Sequence, residues 1–545
     1  MAQHQQAAPA PAQDDSRAVA YVKRLGQMQS ARAVHEATWR ECCAYSDPIK
    51  AEEFTASIPN AGTALNKQAK LTDSTLGDSS QSLAAAIVSG MTPASSQWLN
   101  YEVDGQTDEE KAYLENAATI VWSNIHASNY DAVAPECASD EVDIGWFVKF
   151  IDEDRERGGY HFEQWPAGQC YIAASKPGGT VDTVLRDYTL SAEQCVAEFG
   201  GAVSDKVREL AKTKPDAPVK LLRVIEPRKV YMPGAKLARN LPFSSVTLEQ
   251  DGKRILKESG FHEFPCAVPR WKILKRSVYA TGPVLTALPD ARELNEWKRL
   301  FKTQGEWDLA PPLVATDDGV LNPKTITIGA RRVIVANSVD NVKQLPSAGN
   351  WQLGVEMIAD LKQSIRKTMM VTYLEPRDGP AVTATQVHVE VGLLRQLLGP
   401  VYGRLKSEWI KPMAERCFGL ALRAGALGKP PDSLANRVLQ VTYKDPFARA
   451  QKLEDVSAIE RMNANIEQIA QFRPDVLDMV DTDEEVRVIS EALGVPARIV
   501  RDERTVKMLR EAKARDAQQQ AQQQQAQGAQ AAMTDAMARR VAQAA

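Results

Sequence analysis

The chain has 545 residues, with 66 basic and 70 acidic side chains and a formal net charge of -4. That length supports about two to four domains with a sizeable core, and the near-balanced charge leaves no global basic footprint for tight nucleic-acid binding, so any DNA contact is expected to be local or transient. The seven cysteines (Cys42, Cys43, Cys137, Cys170, Cys195, Cys266, Cys417) are odd in number and form no CxxC pair, which suits reduced thiols in a cytosolic setting. Cys42 and Cys43 read as half-buried thiols. The opening "MAQHQQAAPAPAQDD" has neither a basic nor an apolar signal segment, and no later run reaches roughly 18 apolar residues, so a soluble chain without export address or membrane contact is expected.

In chain order, residues 15–46 read as a helix with Leu25, Met28, Ala31, Val34, His35 and Trp39 on one face, His35 being a surface or packing histidine. The stretch "LTDSTLGDSSQSLAAAIVSGMTPASSQWLNYEV", residues 71–103, places Leu76, Leu83, Ile87 and Met91 at helical spacing, with Ala84 and Val88 broadening the stripe. Asp73 or Ser74 caps its start. Gly90 and Pro93 are expected to end it, because glycine accepts a left-handed C-cap and proline cannot continue the ladder, and an aromatic strand should follow. A further helix is expected near 107–128, then a β-rich stretch from about 140 to 275, interrupted by one helix, "SAEQCVAEFGGAVSDKVRELAKT". From Pro283 the pattern gives a helix, a Val/Ile-rich β segment over 311–345, and a helix to Met370. A loop, "YLEPRDGPAVTAT", precedes a long helical region from about Gln386 to Ala424. The last part is helical and ends in a Gln/Ala-rich segment, either a flexible tail or a helix stable only beside copies of itself.

Catalytic signals are few. There is no GxxxxGK[ST], since Gly252-Lys253 and Gly428-Lys429 lack the upstream glycine and the Ser/Thr. The six histidines form no HExxH or Cys/His cluster and no serine sits in a GxSxG elbow. Neither a metal nor a cofactor is expected. "DED" at 152–154 would be the only handle for a metal-dependent nuclease, and it reads better as a solvated hairpin turn.

Three further blocks occur in order after "DSTLGDSSQSLAAAIVSGMTP": "PRWKILKRSVYATGPVLTALPDARELNEWKR" (269–299), "LAPPLVATDDG" (309–319) and "AVTATQVHVEVGLLRQLLGPVYGRLKSEWIKPMAERCFGLALRAGALGKPP" (381–431). Together they resemble the head-to-tail connector, or portal, proteins of T7-like short-tailed bacteriophages over roughly residues 15–430. The departures are Ala280 where the family usually has Gly, Gln386 where it has Glu, and Ile87 and Met91 where it has Leu. The resemblance implies an α+β portal fold and no enzyme: a ring, usually of about twelve subunits, at one capsid vertex of the virion, assembled in the host bacterial cytoplasm. Double-stranded DNA would pass through it without sequence specificity. Its partners would be the terminase large subunit, the major capsid and scaffolding proteins and tail adaptor proteins. An alternative is another tail or internal virion protein.

On that resemblance, after a disordered leader (1–14), residues 15–282 would be the wing, helices first and then β-rich. Residues 283–310 would be the first stem helix, 311–347 the clip, 348–370 the second stem helix, 371–385 the tunnel loop, 386–450 a long wing helix, 451–509 the crown and 510–545 the tail or barrel helix. Leu285, Leu288, Leu294, Trp297, Phe301 and Ile358 would pack the stem, with Pro289 in its first turn or kinking it. The clip segment "TITIGARRVIVAN", with Arg331 and Arg332, would pair by its edge with a neighbouring subunit. Tyr373, Glu375, Arg377 and Asp378 of the tunnel loop would face the DNA.

Overall fold

A computed structural model describes residues 13–54, 69–105, 107–232, 237–309, 313–315, 342–344, 351–373, 401–434, 440–443, 446–470, 480–493 and 508–513, with a few single positions between them. These residues form two compact units, Met1–Leu99 with Thr119–Gly428, and Asn100–Ala118 with Lys429–Ala545. Helices and antiparallel sheets are both well represented, so the fold is α+β.

The first unit begins with α1 (Gln13–Ser46), whose buried stripe includes Leu25, Trp39, Cys42 and Cys43. After the capped turn Pro48–Ala51 comes α2 (Thr75–Met91). In it Leu76, Leu83, Ala84, Ile87 and Met91 are buried, as their spacing requires. Asp73, not Ser74, supplies the capping oxygen, accepting the Thr75 amide at 2.7 Å. Gly90 is an ordinary buried residue of the last turn, and the helix stops at Met91, with Thr92 as its C-cap donating its amide to Val88 O at 2.8 Å. The left-handed glycine cap expected there does not form.

The strand β1 (Leu99–Glu102) and helix α3 (Asp108–Ala127) follow, then α4 (Tyr130–Ile144), a helix absent from the sequence reading. Its Asp140, Glu141 and Asp143 are buried, which inverts the polar-out pattern that marks an amphipathic helix, and Pro135 lies inside it. At its end Gly145 adopts φ 94°, and a Cβ there would lie 2.2 Å from Thr281 C, while one on Gly282 would lie 2.1 Å from Val142 O. Both glycines are therefore needed for the "YATGP" segment to seat on the end of α4.

A small antiparallel sheet follows, built by β2 (Val148–Glu153) and β3 (Tyr160–Trp165), with β9 (Cys266–Ala267) on the other side of β2. The hairpin between β2 and β3 is the expected turn: Asp154 accepts the amides of Glu156 and Arg157 at 2.9 and 3.0 Å. The larger sheet is a five-stranded antiparallel meander of β4 (Cys170–Ala173), β5 (Thr183–Ser191), β6 (Pro218–Pro227), β7 (Phe243–Glu249) and β8 (Arg254–Phe261). The single helix expected within it is two helices, α5 (Ala192–Phe199) and α6 (Asp205–Thr213). The Gly200-Gly201 step, with Gly200 at φ 54°, breaks the ladder, and Ser204 re-caps the second helix through Val207 N at 3.3 Å. Salt bridges from Arg17 to Glu258 and from Arg24 to Glu226 tie the N-terminal half of α1 to this meander.

The core between α1 and the strands is aromatic. Trp39 lies with its ring 5.3 Å from Tyr279, 5.6 Å from Trp146 and 5.6 Å from His35, and Phe150 stacks on Trp165 at 4.8 Å. His35 is thus a packing histidine, with Ser277 Oγ 3.2 Å from its Nε2. All seven cysteines are free and buried, so Cys42 and Cys43 are core thiols rather than half-exposed ones. After the short pair β10 (Lys272–Ile273) and β11 (Ala280–Thr281) comes α7 (Pro283–Leu309), which carries Pro289 in its second turn without ending there. The strands β12 (Leu313–Ala315) and β13 (Val342–Gln344), helix α8 (Trp351–Thr368), a π turn (Lys406–Ile410) and α9 (Lys411–Arg423) follow.

The helical region read to about Ala424 ends where expected, while the bounds 386–450 that the resemblance gives the wing helix include a strand. The helix ends at Arg423, Gly425 and Gly428 take positive φ, and Gln440–Tyr443 is a strand, β14. In the second unit β14 pairs with β1, and Arg437 grips Glu110 with contacts of 2.9 and 3.1 Å. The helices α10 (Pro446–Ala470) and α11 (Thr482–Leu493) belong to the same unit, joined by an Asn463–Glu485 hydrogen bond.

Candidate functional site

Within the first unit α7 and α8 pack against each other. The strands β12 and β13 pair antiparallel, Leu313 with Gln344 and Ala315 with Val342, so the chain leaves α7 and returns to α8 through a two-stranded ribbon. Along the helices, Leu294 is fully buried, Trp297, Phe301 and Ile358 are half-buried, and Leu361 and Ile365 fill the base of α8. Phe301 lies 3.9 Å, ring to ring, from Trp351, and Gly354 makes room for it: a Cβ there would come within 3.1 Å of the Phe301 ring. The outer part of the pair leaves Leu300, Trp307, Leu309, Trp351, Leu353 and Val355 exposed. So many large apolar side chains on two adjacent helices form a surface that a partner is expected to cover.

The base of the pair is pinned by a residue the sequence reading treated only as a cap. Asp73 binds Lys298 of α7, lies 3.8 Å from Lys362 of α8, and at the same time caps α2. Burial opposes ionisation of Asp73, but the hydrogen bonds from Lys298 and Thr75 outweigh it and hold the carboxyl below its ordinary range. Beside it Asn295 Oδ1 accepts the Thr72 amide at 3.0 Å, and Ser364 donates to Asp290 at 2.6 Å. No local motif reveals this, because Lys298 is 225 positions away in the chain. Asp73→Ala should destabilise the first unit by about 2 kcal/mol, part from the lost cap and part from unpaired lysines, with Asp73→Asn keeping about half of that because it still caps. Urea denaturation of the two variants against the parent checks it.

Beyond α8 the chain turns sharply. Met369 is fully buried, and Met370 takes φ 61°, the left-handed conformation usually left to glycine at a helix end. Val371–Tyr373 is a single 3-10 turn. The helix therefore ends before Pro376 and Gly379 are reached, and its stop is set by Met370. Glu375, Arg377, Asp378, Arg331 and Arg332 lie outside the described residues, as does the side chain of Tyr373. Among the described residues no group of three or more His, Cys, Asp or Glu side chains is placed to hold a metal. Two of the "DED" carboxylates are engaged in structure: Asp154 in its turn, and Asp152 3.5 Å from the buried Arg416.

Residues 19–500 match the model of the family described as "Bacteriophage head to tail connecting protein". The portal protein of Salmonella phage epsilon15 is 28% identical over 519 residues, covering 91% of each chain. The probable portal protein of Bordetella phage BPP-1 is 27% identical over 515 residues, again 91% of each. A solved structure, the neck of an empty GTA particle computed with C6 symmetry, has a TM-score of 0.35 at 10% identity and covers 70% of this chain and 84% of its own. With residues 19–500 of its 545 inside the family match, the chain belongs to the family of bacteriophage head to tail connecting proteins.

Proposed function

We propose that the chain is the portal of a short-tailed phage head, a structural ring at one capsid vertex whose central channel carries double-stranded DNA during packaging and ejection. Family membership supports the portal role. The observation that carries the ring is the α7–α8 pair: buried at its base and lined with exposed Leu300, Trp307, Trp351 and Leu353 further out, it is half of an interface. Copies of this chain would cover that surface as adjacent stems, with β12–β13 and the residues between them as the clip. About twelve copies is the expected number. The terminase large subunit and tail adaptor proteins would dock on the ring, with the major capsid and scaffolding proteins around it. No described helix is long and apolar enough to cross a membrane.

Negative-stain electron microscopy of the purified chain tests this directly, since a ring with a central hole is expected. Trp297→Asp puts a charge on the half-buried face of α7 and should leave non-ring material, soluble or aggregated. Intact rings at normal yield would remove the stem assignment.

Residues 371–385 would be the tunnel loop, where Glu375, Arg377 and Asp378 repeat around the DNA as mixed charge. Alternating signs give weak, salt-screened phosphate contacts, whereas a purely basic ring would hold each phosphate too tightly for sliding. Deletion of residues 375–380 should leave rings and heads intact but impair late packaging or retention of the genome, measured as the full-length DNA content of particles. Normal content would leave the loop only a connecting role.

A further inference from the structure

The face of the five-stranded sheet turned away from α1 carries one polar row. Arg186 of β5 stands opposite Arg223 of β6, Arg223 opposite Thr247 of β7, and Thr247 opposite Lys257 of β8. At about 4.8 Å between neighbouring strands the row is about 14 Å long. On one side of it Val184 and Ile225 join the aromatic core of Trp146 and Trp165, and on the other Leu221 and Leu256 pack against α5 and α6. The reverse face is covered, with Leu185, Leu222 and Leu248 packed with Leu25 of α1.

Like charges directly opposite on neighbouring strands repel each other, so Arg186 beside Arg223 calls for compensation. Arg186 has it: its Nη1 donates to Glu163 Oε1 at 2.7 Å and its Nε to Gln169 Oε1 at 3.3 Å. Arg223 does not. Its guanidinium carbon lies 4.4 Å from the centre of the Phe150 ring and 5.4 Å from that of Trp165, which Arg186 also approaches at 4.9 Å, and none of its donors meets an acceptor among the described residues. The carboxylates of the same strands are engaged elsewhere: Glu249 accepts from Ser204 Oγ at 2.9 Å, Asp187 from Gln250 at 2.6 Å and Glu258 from Arg17 at 3.1 Å. Glu198 of α5 is exposed.

Other inward cations of the first unit differ. The three buried arginines among the described residues all donate to oxygen: Arg270 to Glu408, with Nε 3.0 Å from Oε2 and Nη2 2.6 Å from Oε1, Arg32 to the carbonyls of Ala167, Gly168 and Cys170, and Arg416 to Glu263 at 3.0 Å. Lys149 has no oxygen partner among the described residues, its ammonium lying 4.7 Å from the Trp409 ring, but it is fully buried, whereas Arg223 is half-buried and open to a ligand. A guanidinium held against aromatic rings keeps its N–H edge for a bidentate acceptor. Beside the pair, the Tyr188 ring lies 5.0 Å from the Arg186 guanidinium carbon. Burial pushes the Tyr188 hydroxyl up to about 12, the charge of Glu198 adding to this and those of Arg223 and Arg186 opposing it, so the hydroxyl keeps its proton and can donate.

We propose that Arg186 and Arg223 form an oxyanion site that takes a phosphate group, with the free donors of Arg223 as its main hold and Tyr188 and Lys257 flanking it. Phosphate suits the place better than a further carboxylate, because its acceptor oxygens can serve two guanidinium groups and a hydroxyl together. Free phosphate and the phosphate end of a nucleotide present the same chemistry. The site lies in the first unit and does not depend on the portal reading.

Isothermal titration calorimetry of the full-length chain with inorganic phosphate, in chloride buffer of matched ionic strength, tests this. One saturable site per chain is expected, weakened at least about tenfold in Arg223→Gln and unchanged in Arg17→Gln, whose guanidinium serves Glu258. If Arg223→Gln does not fold, Arg223→Lys serves, because it keeps the charge and loses the fork, and it should bind several-fold more weakly. Parallel titrations with ADP and adenosine identify the source: ADP binding more tightly than phosphate, with adenosine silent, assigns a nucleotide, and equal binding of ADP and phosphate assigns the free anion. No saturable binding in the parent, parental affinity in the Arg223 variant, or an equal loss in Arg17→Gln would each overturn the site.

Discussion

Lys149→Met is expected to stabilise the first unit by several kilocalories per mole at neutral pH, and the gain should shrink as pH rises. Lys149 projects from β2 into a dry cage, with its ammonium 3.4 Å from Met413 Sδ, 4.4 Å from the Tyr130 ring and 5.7 Å from the Phe162 ring. No carboxylate faces it among the described residues. Burial brings its pKa down to about 7 from the ordinary 10.5, with the nearby Cys137 and Cys417 acting the other way. The folded value is thus depressed below the unfolded one. Between the two values the unfolded chain binds more protons than the folded one, so stability rises with pH across that window and is lost as pH falls through about 7. Each pH unit of the window is worth about 1.4 kcal/mol, an amount that the attraction of three aromatic faces for the ammonium partly offsets. Methionine fills similar space without the charge. Chemical denaturation of both proteins at about pH 7 and about pH 10 should show a wide gap closing to a narrow one. A gap independent of pH would mean that Lys149 titrates alike in the folded and unfolded chain and that burial does not depress it.

Arg270→Ala should be the most damaging single change, at about 3–5 kcal/mol, because it leaves Glu408 ionised, buried and unpaired. Arg270 also donates to the carbonyl oxygens of Gly179 at 3.0 Å and Val278 at 3.4 Å, so three segments lose a common anchor. Removing both charges with apolar volume in their place, Arg270→Met with Glu408→Leu, should recover most of the loss, since the desolvation cost of both ions disappears together. A double-mutant cycle on urea midpoints measures the coupling. Equal losses in the single and double variants would show that the carbonyl contacts of Arg270 matter and its charge does not.

The family of the chain was legible in its sequence, because the resemblance lies in ordered blocks that need no knowledge of contacts, and the family match over residues 19–500 agrees with it. Local periodicity also sufficed for α1, α2, α7 and α8, where apolar side chains face one way and solvent the other. It failed wherever charge is buried or a partner is far away. Helix α4 was missed because Asp140, Glu141 and Asp143 are buried, and Asp140 and Asp143 are matched by Lys50, some 90 positions earlier in the chain. Strand β14 was not read from the pattern, because its pairing with β1 joins segments more than three hundred positions apart. Asp73 looked like a cap and is also the tie between two distant helices. Apolar periodicity is a property of neighbours along the chain, so sequence alone determines it. The ionic state and partner of a buried charge are set by low dielectric and by what the fold brings beside it, and those only the tertiary structure decided.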